Sequence, residues 1–319
     1  MALARAGADG PDSIVILRAL GLGDLLTGVP ALRGLRRAFP DAHITLATPE
    51  PLRALALLTD AVDDVLATPG LGSLTASTRR PHVAVNLHGR GPESIADLLR
   101  LRTQILLTHA HPEFSEIDGP PWQQDCHEVD RWCRMLAWFD IAADPEDLRI
   151  TSPEPGTPYH GAVVIHPGAS AMSRCWPAQR YAAVAAELRR LGNDVVVTGS
   201  RRERELADFV TGSAGLPASA NLAGLLSVTE LLAVIADARL LVCGDTGVAH
   251  VATATGTPSV LLFGPTSPTH WGPRTDGPHR VLWTGRPGDP HDGQPNAGLL
   301  AISTADVLAA TENMLRSCV

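Results

Sequence analysis

Short aliphatic and β-branched runs alternate along this chain with longer stretches whose apolar positions recur every three to four residues. That alternation predicts a mostly parallel sheet wrapped by helices. In the first half, Ser13–Leu17 (SIVIL) reads as a buried strand, followed by a tight turn at 21–24 and a helix over Leu25–Phe39 that Pro40 ends. Strands follow at His43–Thr48, Val62–Leu66 and His82–Leu87, then a helix over Ser94–Leu101 and a strand at Thr103–Leu107. Residues 109–127 are polar, acidic and proline-rich, which predicts a loop, and Val129–Phe139 returns to helical spacing.

Four prolines and little periodicity between Asp144 and Tyr159 mark a linker, so we expect domains at 1–150 and 151–319. The pattern then restarts with strand Ala162–His166, helix Ala178–Leu191, strand Asp194–Thr198 and a helix through Glu203–Val210. Ser227 and Glu230 form an S-x-x-E box opening a helix to Asp237. Strand Arg239–Cys243, helix Gly247–Thr255 and strand Ser259–Phe263 complete this core. A last helix, Ala305–Arg316, is free to pack back on the first domain. Two α/β halves joined in this way are expected to face each other across a ligand-binding cleft.

Composition narrows the function classes. The 319 residues are 45% hydrophobic and 19% charged, a globular composition, with no apolar run long enough for a membrane span. No secretory signal is visible in the loose N-terminal tail, and the odd count of five cysteines lacks a CxxC pair, so a cytoplasmic location is expected. Neither a zinc-ligand spacing nor an HExxH motif is present, and no metal or cofactor is expected. Lysine is absent, so every basic side chain is arginine. The net charge is −8; residues 1–150 carry 14 arginines against 20 acidic residues. That acidic half is a poor partner for nucleic acid or an anionic membrane.

Three segments carry candidate chemistry. The first is GLGD at 21–24, where glycines permit close approach to the backbone. Asp24 is either a helix cap or a carboxylate able to take a proton from a hydroxyl. The second runs from His166 through Ser170 to Arg174 and Pro177, with Pro177 at the first position of a helix. Its hydroxyls, backbone N–H groups and arginine fork suit a diphosphate, although an ordinary loop with a solvated arginine has the same sequence. The third is CGDTGVAH, 243–250, followed by GPT at 264–266. Here the N–H groups of Thr246 and Gly247 open a helix, with His250 one turn along on a similar side. A capping aspartate and a structural glycine account for half of that pattern but not for the histidine.

Taken together, GLGD, HPG…RCWP (166–177), VVVTGSRRE (195–203) and GDTGVAH with FGPT resemble the ADP-heptose:lipopolysaccharide heptosyltransferases, glycosyltransferase family 9. The resemblance covers most of the chain. It implies an α/β GT-B fold of two Rossmann-like domains, the acceptor on the first and the nucleotide-sugar on the second. It also implies Asp24 as general base, with Gly23 beside it at the acceptor. Arg174 stands where the family carries a phosphate-binding lysine, with Ser170 beside it. Thr246, Gly247 and His250 match the diphosphate and sugar turn, Asp245 a sugar-hydroxyl ligand, Glu203 the ribose ligand and Leu226 the base-lining residue.

The expected activity is inverting transfer of a sugar from an NDP-sugar, ADP-heptose by resemblance, to an acceptor hydroxyl. With no D-x-D triplet in the sequence, metal independence is expected. Six carboxylates between Glu113 and Asp130 depart from the basic acceptor domains of lipopolysaccharide enzymes. They are either a solvated acidic loop or, through Glu113, Glu116 and Asp118, the border of a pocket for a soluble cationic amino-sugar or aminocyclitol. Two other functions share the architecture: a sugar-nucleotide 2-epimerase, which needs no acceptor, and a non-catalytic nucleotide-sugar binding protein, which does not need Asp24.

Overall fold

The computed structural model describes residues 10–74, 80–152, 156–274 and 277–317. The expected N-terminal tail lies outside these residues up to position 9, as do residues 153–155 of the expected linker. Two compact units divide the chain at Leu148 and Arg149.

The first unit contains β1 (Ser13–Leu17), α1 (Leu22–Ala38), β2 (His43–Thr48), α2 (Arg53–Leu57), β3 (Asp64–Ala67), β4 (Val83–Asn86), α3 (Glu93–Leu99), β5 (Ile105–Leu107) and α4 (Glu128–Trp138). Its five strands are parallel in the order β3-β2-β1-β4-β5. Ile14, Ile16 and Leu17 of β1 and all four residues of β4 are buried, as expected of central strands covered on both faces. The chain leaves β1 toward one edge of the sheet and β4 toward the other. A gap opens at the carboxyl ends of such a strand pair.

The second unit contains β6 (Val163–His166), α5 (Ala178–Arg190), β7 (Val195–Val197), α6 (Arg204–Ser213), α7 (Val228–Asp237), β8 (Leu240–Gly244), α8 (Gly247–Thr255), β9 (Ser259–Leu262), α9 (Pro268–Trp271), β10 (His279–Leu282), α10 (Ala297–Leu300) and α11 (Thr304–Ser317). Its parallel order is β10-β9-β8-β6-β7, with His166 of β6 registered beside Cys243 of β8. Here the switch point lies between β6 and β8, and both strands run straight into motif loops. The buried face of α11, Val307, Ala310 and Leu315, enters this unit's own core. Full burial of a valine or leucine contributes about 1.5–3 kcal/mol.

Three local departures from the sequence reading bear on the site. Helix α1 begins at Leu22 rather than Leu25, with Gly21 as its N-cap, so Asp24 falls in the first turn. Pro177 caps α5 from outside instead of occupying its first position. Glu203 closes a short 3-10 turn, Arg201–Glu203, ahead of α6.

Candidate functional site

In the first unit, β1 ends at Leu17, and Arg18 follows it into the interior with none of its surface exposed. A guanidinium is tolerated there only if its donors are satisfied. Its Nε donates to the Asp24 carbonyl and one terminal nitrogen to the carbonyl of Leu87, just beyond β4. The other terminal nitrogen reaches Thr27 Oγ1 at 3.0 Å and Glu128 Oε1 at 3.4 Å. Gly28 makes room: a Cβ there would lie 3.0 Å from Arg18 Cδ. The guanidinium also sits over the Trp132 ring, 5.0 Å from its centre.

Asp24 is half-buried in this setting, its Oδ2 accepting the Gly21 N–H at 3.2 Å. It therefore does what a cap does while remaining a distinct chemical group. Burial raises its pKa above the usual 3.8, against the opposing pull of Arg18 and with a further push from Glu128. A raised carboxylate is a better proton acceptor than an exposed one. Gly23, half-buried, lies in the same helical turn.

Glu128 opens α4 and is held by Arg18, by Arg131 Nε at 3.0 Å and by Trp132 Nε1 at 2.8 Å. Burial alone would raise its pKa, but Arg18, Arg131 and the indole N–H bring it below the ordinary value. The acidic run is thus divided. Glu128 turns inward, whereas Glu113, Glu116 and Asp118 are exposed on the 109–127 segment and make no ion pair among the described residues. Beside that segment, a cavity of about 370 Å³ is lined by His109, Arg131, Arg134 and Trp138 among others. Burial, aided by Arg131, lowers the His109 pKa to about 4, so the imidazole is neutral near pH 7.

The second unit gathers its candidates at the β6–β8 switch point. After β6, the loop exposes Ser170, whose hydroxyl takes a hydrogen bond from Arg174. Arg174 Nε and the neighbouring Ser173 Oγ are buried without a hydrogen-bond partner. Both groups are thereby available to an incoming hydrogen-bond partner. Glu203 joins this loop: its carboxylate accepts the Ser200 N–H at 2.7 Å and crowds Gly168, where a Cβ would lie 2.0 Å from Oε1.

After β8, Asp245 is buried and its pKa is raised by that burial, partly offset by Arg174 and by a hydrogen bond from Thr266. Thr246 caps α8, its hydroxyl accepting the Val248 N–H at 3.4 Å, and Gly247 is the first helical residue. That leaves the positive end of α8 beside Arg174 and Asp245. His250 lies in the first turn of α8 with its ring edge-on to Trp271 at 5.9 Å. Leu226, half-buried, sits on the loop before α7. Among the described residues, no group of three His, Cys, Asp or Glu side chains is placed to hold a metal ion. No helix among them is long and apolar enough to cross a membrane.

The sequence reading missed Arg18 and did not separate Glu128 from its acidic neighbours. Both left a signal. Arg18 is an arginine directly continuing an aliphatic strand, and Glu128 has Arg131 and Trp132 at i+3 and i+4 on one helical face.

Two parallel five-stranded Rossmann-like units, each with polar groups at its switch point, define a protein of the GT-B class. The solved structure of a glycosyl transferase family 9 protein from Veillonella parvula aligns over 96% of this chain and 98% of its own, at TM-score 0.80 and 22% identity. That of ADP-heptose LPS heptosyltransferase II from Escherichia coli aligns over 96% and 99%, at TM-score 0.77 and 20% identity. In sequence, residues 136–289 match the model of glycosyltransferase family 9 (heptosyltransferase). Lipopolysaccharide heptosyltransferase 3 of Escherichia coli is 33% identical over 162 residues, 49% of this chain and 47% of that protein. The match thus spans about half the length of that relative. In fold and in these sequence matches, the protein is glycosyltransferase family 9 (heptosyltransferase)-like.

Proposed function

We propose that this protein is an inverting glycosyltransferase that moves a heptose from ADP-heptose to an acceptor hydroxyl. The observation that carries this reading is the cluster at the β6–β8 switch point. There Arg174, Ser170, Asp245 and the start of α8 converge within the segment matching the family model. Arg174 and the Thr246–Gly247 N–H groups would hold the diphosphate and stabilise charge as it leaves. Asp245 and His250 would bind sugar hydroxyls, Glu203 the ribose and Leu226 the base. Likeness to ADP-heptose LPS heptosyltransferase II of Escherichia coli supports ADP-heptose as the donor.

On the first unit, Asp24 would accept the proton of the acceptor hydroxyl, with Gly23 beside it. The freed oxygen forms the new bond to the anomeric carbon as the carbon–oxygen bond to the diphosphate breaks, and ADP departs. The raised pKa of Asp24 supports this role. We further propose a soluble, cationic acceptor attracted by Glu113, Glu116 and Asp118, and a cytoplasmic location. Incubation of the protein with ADP-heptose and a panel of aminocyclitols and lipid acceptors tests both parts. Sugar transfer that survives EDTA is expected, with acceptor KM rising with salt as the exposed charges are screened over about 8–10 Å. Release of ADP with no acceptor dependence would defeat the transferase reading. Preferred use of a phosphorylated lipid would defeat the acceptor assignment alone.

A further inference from the structure

Asp24 does not meet Arg18 through its carboxylate. The guanidinium holds the backbone carbonyl of Asp24 instead, along with Thr27 in the next turn and Leu87 beyond β4. Thr27 Oγ1 donates to that same Asp24 carbonyl at 3.0 Å, so two donors fix the turn. A full positive charge therefore lies behind the proposed base without neutralising it directly. Left alone, such a charge would favour the ionised carboxylate and weaken it as a proton acceptor. One carboxylate opposes it: Glu128, whose Oε1 lies 3.4 Å from Arg18 and also accepts the Trp132 indole N–H, while Arg131 holds its Oε2.

We propose that Arg18 and Glu128 are positioning residues for Asp24, the guanidinium fixing the turn that carries it and Glu128 offsetting the guanidinium's charge so that Asp24 stays basic. The inference rests on the reading of Asp24 as general base. The groups that act on Asp24 are Arg18 from the end of β1, Glu128 from α4, the Gly21 N–H from its own turn and its own backbone N–H. Behind them, Arg131 holds Glu128 in place. His88, which also feels the Arg18 charge, has its pKa lowered by burial and by Arg18, which keeps it from adding a second positive charge near pH 7.

Charge offset makes a signed demand that packing alone does not. Glu128→Gln keeps the size of the side chain but leaves Arg18 uncompensated, so the acid limb of the kcat/KM profile should move to lower pH. Arg18→Gln leaves Glu128 beside Asp24, so the limb should move to higher pH. Each displacement is expected to be about one pH unit, the scale of a charge a few ångströms away. Donor KM should not change in either variant. Thermal unfolding of both proteins reports whether they fold. Should Arg18→Gln fail to fold, Arg18→Lys carries the test, because it keeps the charge and loses the planar fork. Its limb should stay in place while kcat falls.

Limbs that stay put in both Gln variants, or move the same way, would overturn the inference even where stability falls. A displaced limb in Arg18→Lys would overturn it too. Full turnover in Asp24→Asn would instead remove the base reading beneath it, which keeps the two failures apart.

Discussion

The carboxyl ends of β1 and β6, each the first strand of its unit, both border a switch point, yet they are finished in opposite ways. At β1, charge is internally satisfied: Arg18 is fully buried and hydrogen-bonds to Asp24, Leu87, Thr27 and Glu128. At β6, buried donors are left over, with Arg174 Nε and Ser173 Oγ lacking partners and Asp245 buried nearby. A group that must move a proton has to be oriented before its substrate arrives. A group that grips a diphosphate works best with its donors reserved for the ligand. Under the proposed function, the same topology would hold a preset carboxylate in one unit and an open cradle in the other.

Substitutions that attack each side of this contrast should behave differently. The largest effect is expected from Asp24→Asn, with turnover reduced at least ~100-fold, the usual scale for losing a general base. Donor affinity and melting temperature should persist, since the asparagine amide oxygen can still accept the Gly21 N–H. Near-normal steady-state rates would reduce Asp24 to its cap. Next comes Arg174→Ala, which should weaken ADP and ADP-sugar together by ~1.5–3 kcal/mol, the worth of a hydrogen bond to a charged group. Calorimetry giving an unchanged ADP affinity would count against the cradle.

A third effect concerns pH. The folded-state pKa of Asp245 is raised, so the folded protein holds that proton more tightly than the unfolded chain. The native state then loses stability as pH climbs from the ordinary value of 3.8 through the raised one. Asp245→Asn should abolish this part of the decline, so thermal unfolding across that range should favour the variant increasingly as pH rises. A constant difference between the two proteins would mean that the carboxylate is not held back by burial. The smallest effect is a control outside both sites: Ser227→Ala should cost about 1 kcal/mol through its lost cap and leave kinetics alone.

How much of this could be read beforehand depended on whether a feature was local. Helix α8 begins and ends where the sequence places it, because Thr246 caps its start and the left-handed Gly256 ends it. The Ser227–Glu230 box opens α7 as expected, with Ser227 N–H to Glu230 Oε2 at 2.7 Å. Asp24 is the third helical residue of α1 rather than its N-cap, and its Oδ2 accepts the Gly21 N–H; the base role stays a proposal. The edge strand β10 was missed, because HRVL is short, half polar and defined by its pairing with β9. Arg18 and Glu128 lie 110 positions apart, and only tertiary packing makes one the partner of the other. Spacing rules along a helix or strand carry no information about such a pair.

The placement of α11 has a consequence for how the molecule is made. The first unit has its last strand by Leu107 and its last helix by Trp138, so its core can close early in synthesis. The second unit cannot finish: β8, β9 and α5 wait for α11, which begins only at Thr304. At ~5–20 residues per second, translation from the end of β9 at Leu262 to Thr304 takes about 2–8 seconds. During it, the faces that Val307, Ala310 and Leu315 will cover are bare. A ribosome-bound chain therefore carries a completed first unit beside an adhesive, half-built second one, and chaperones would find their substrate there.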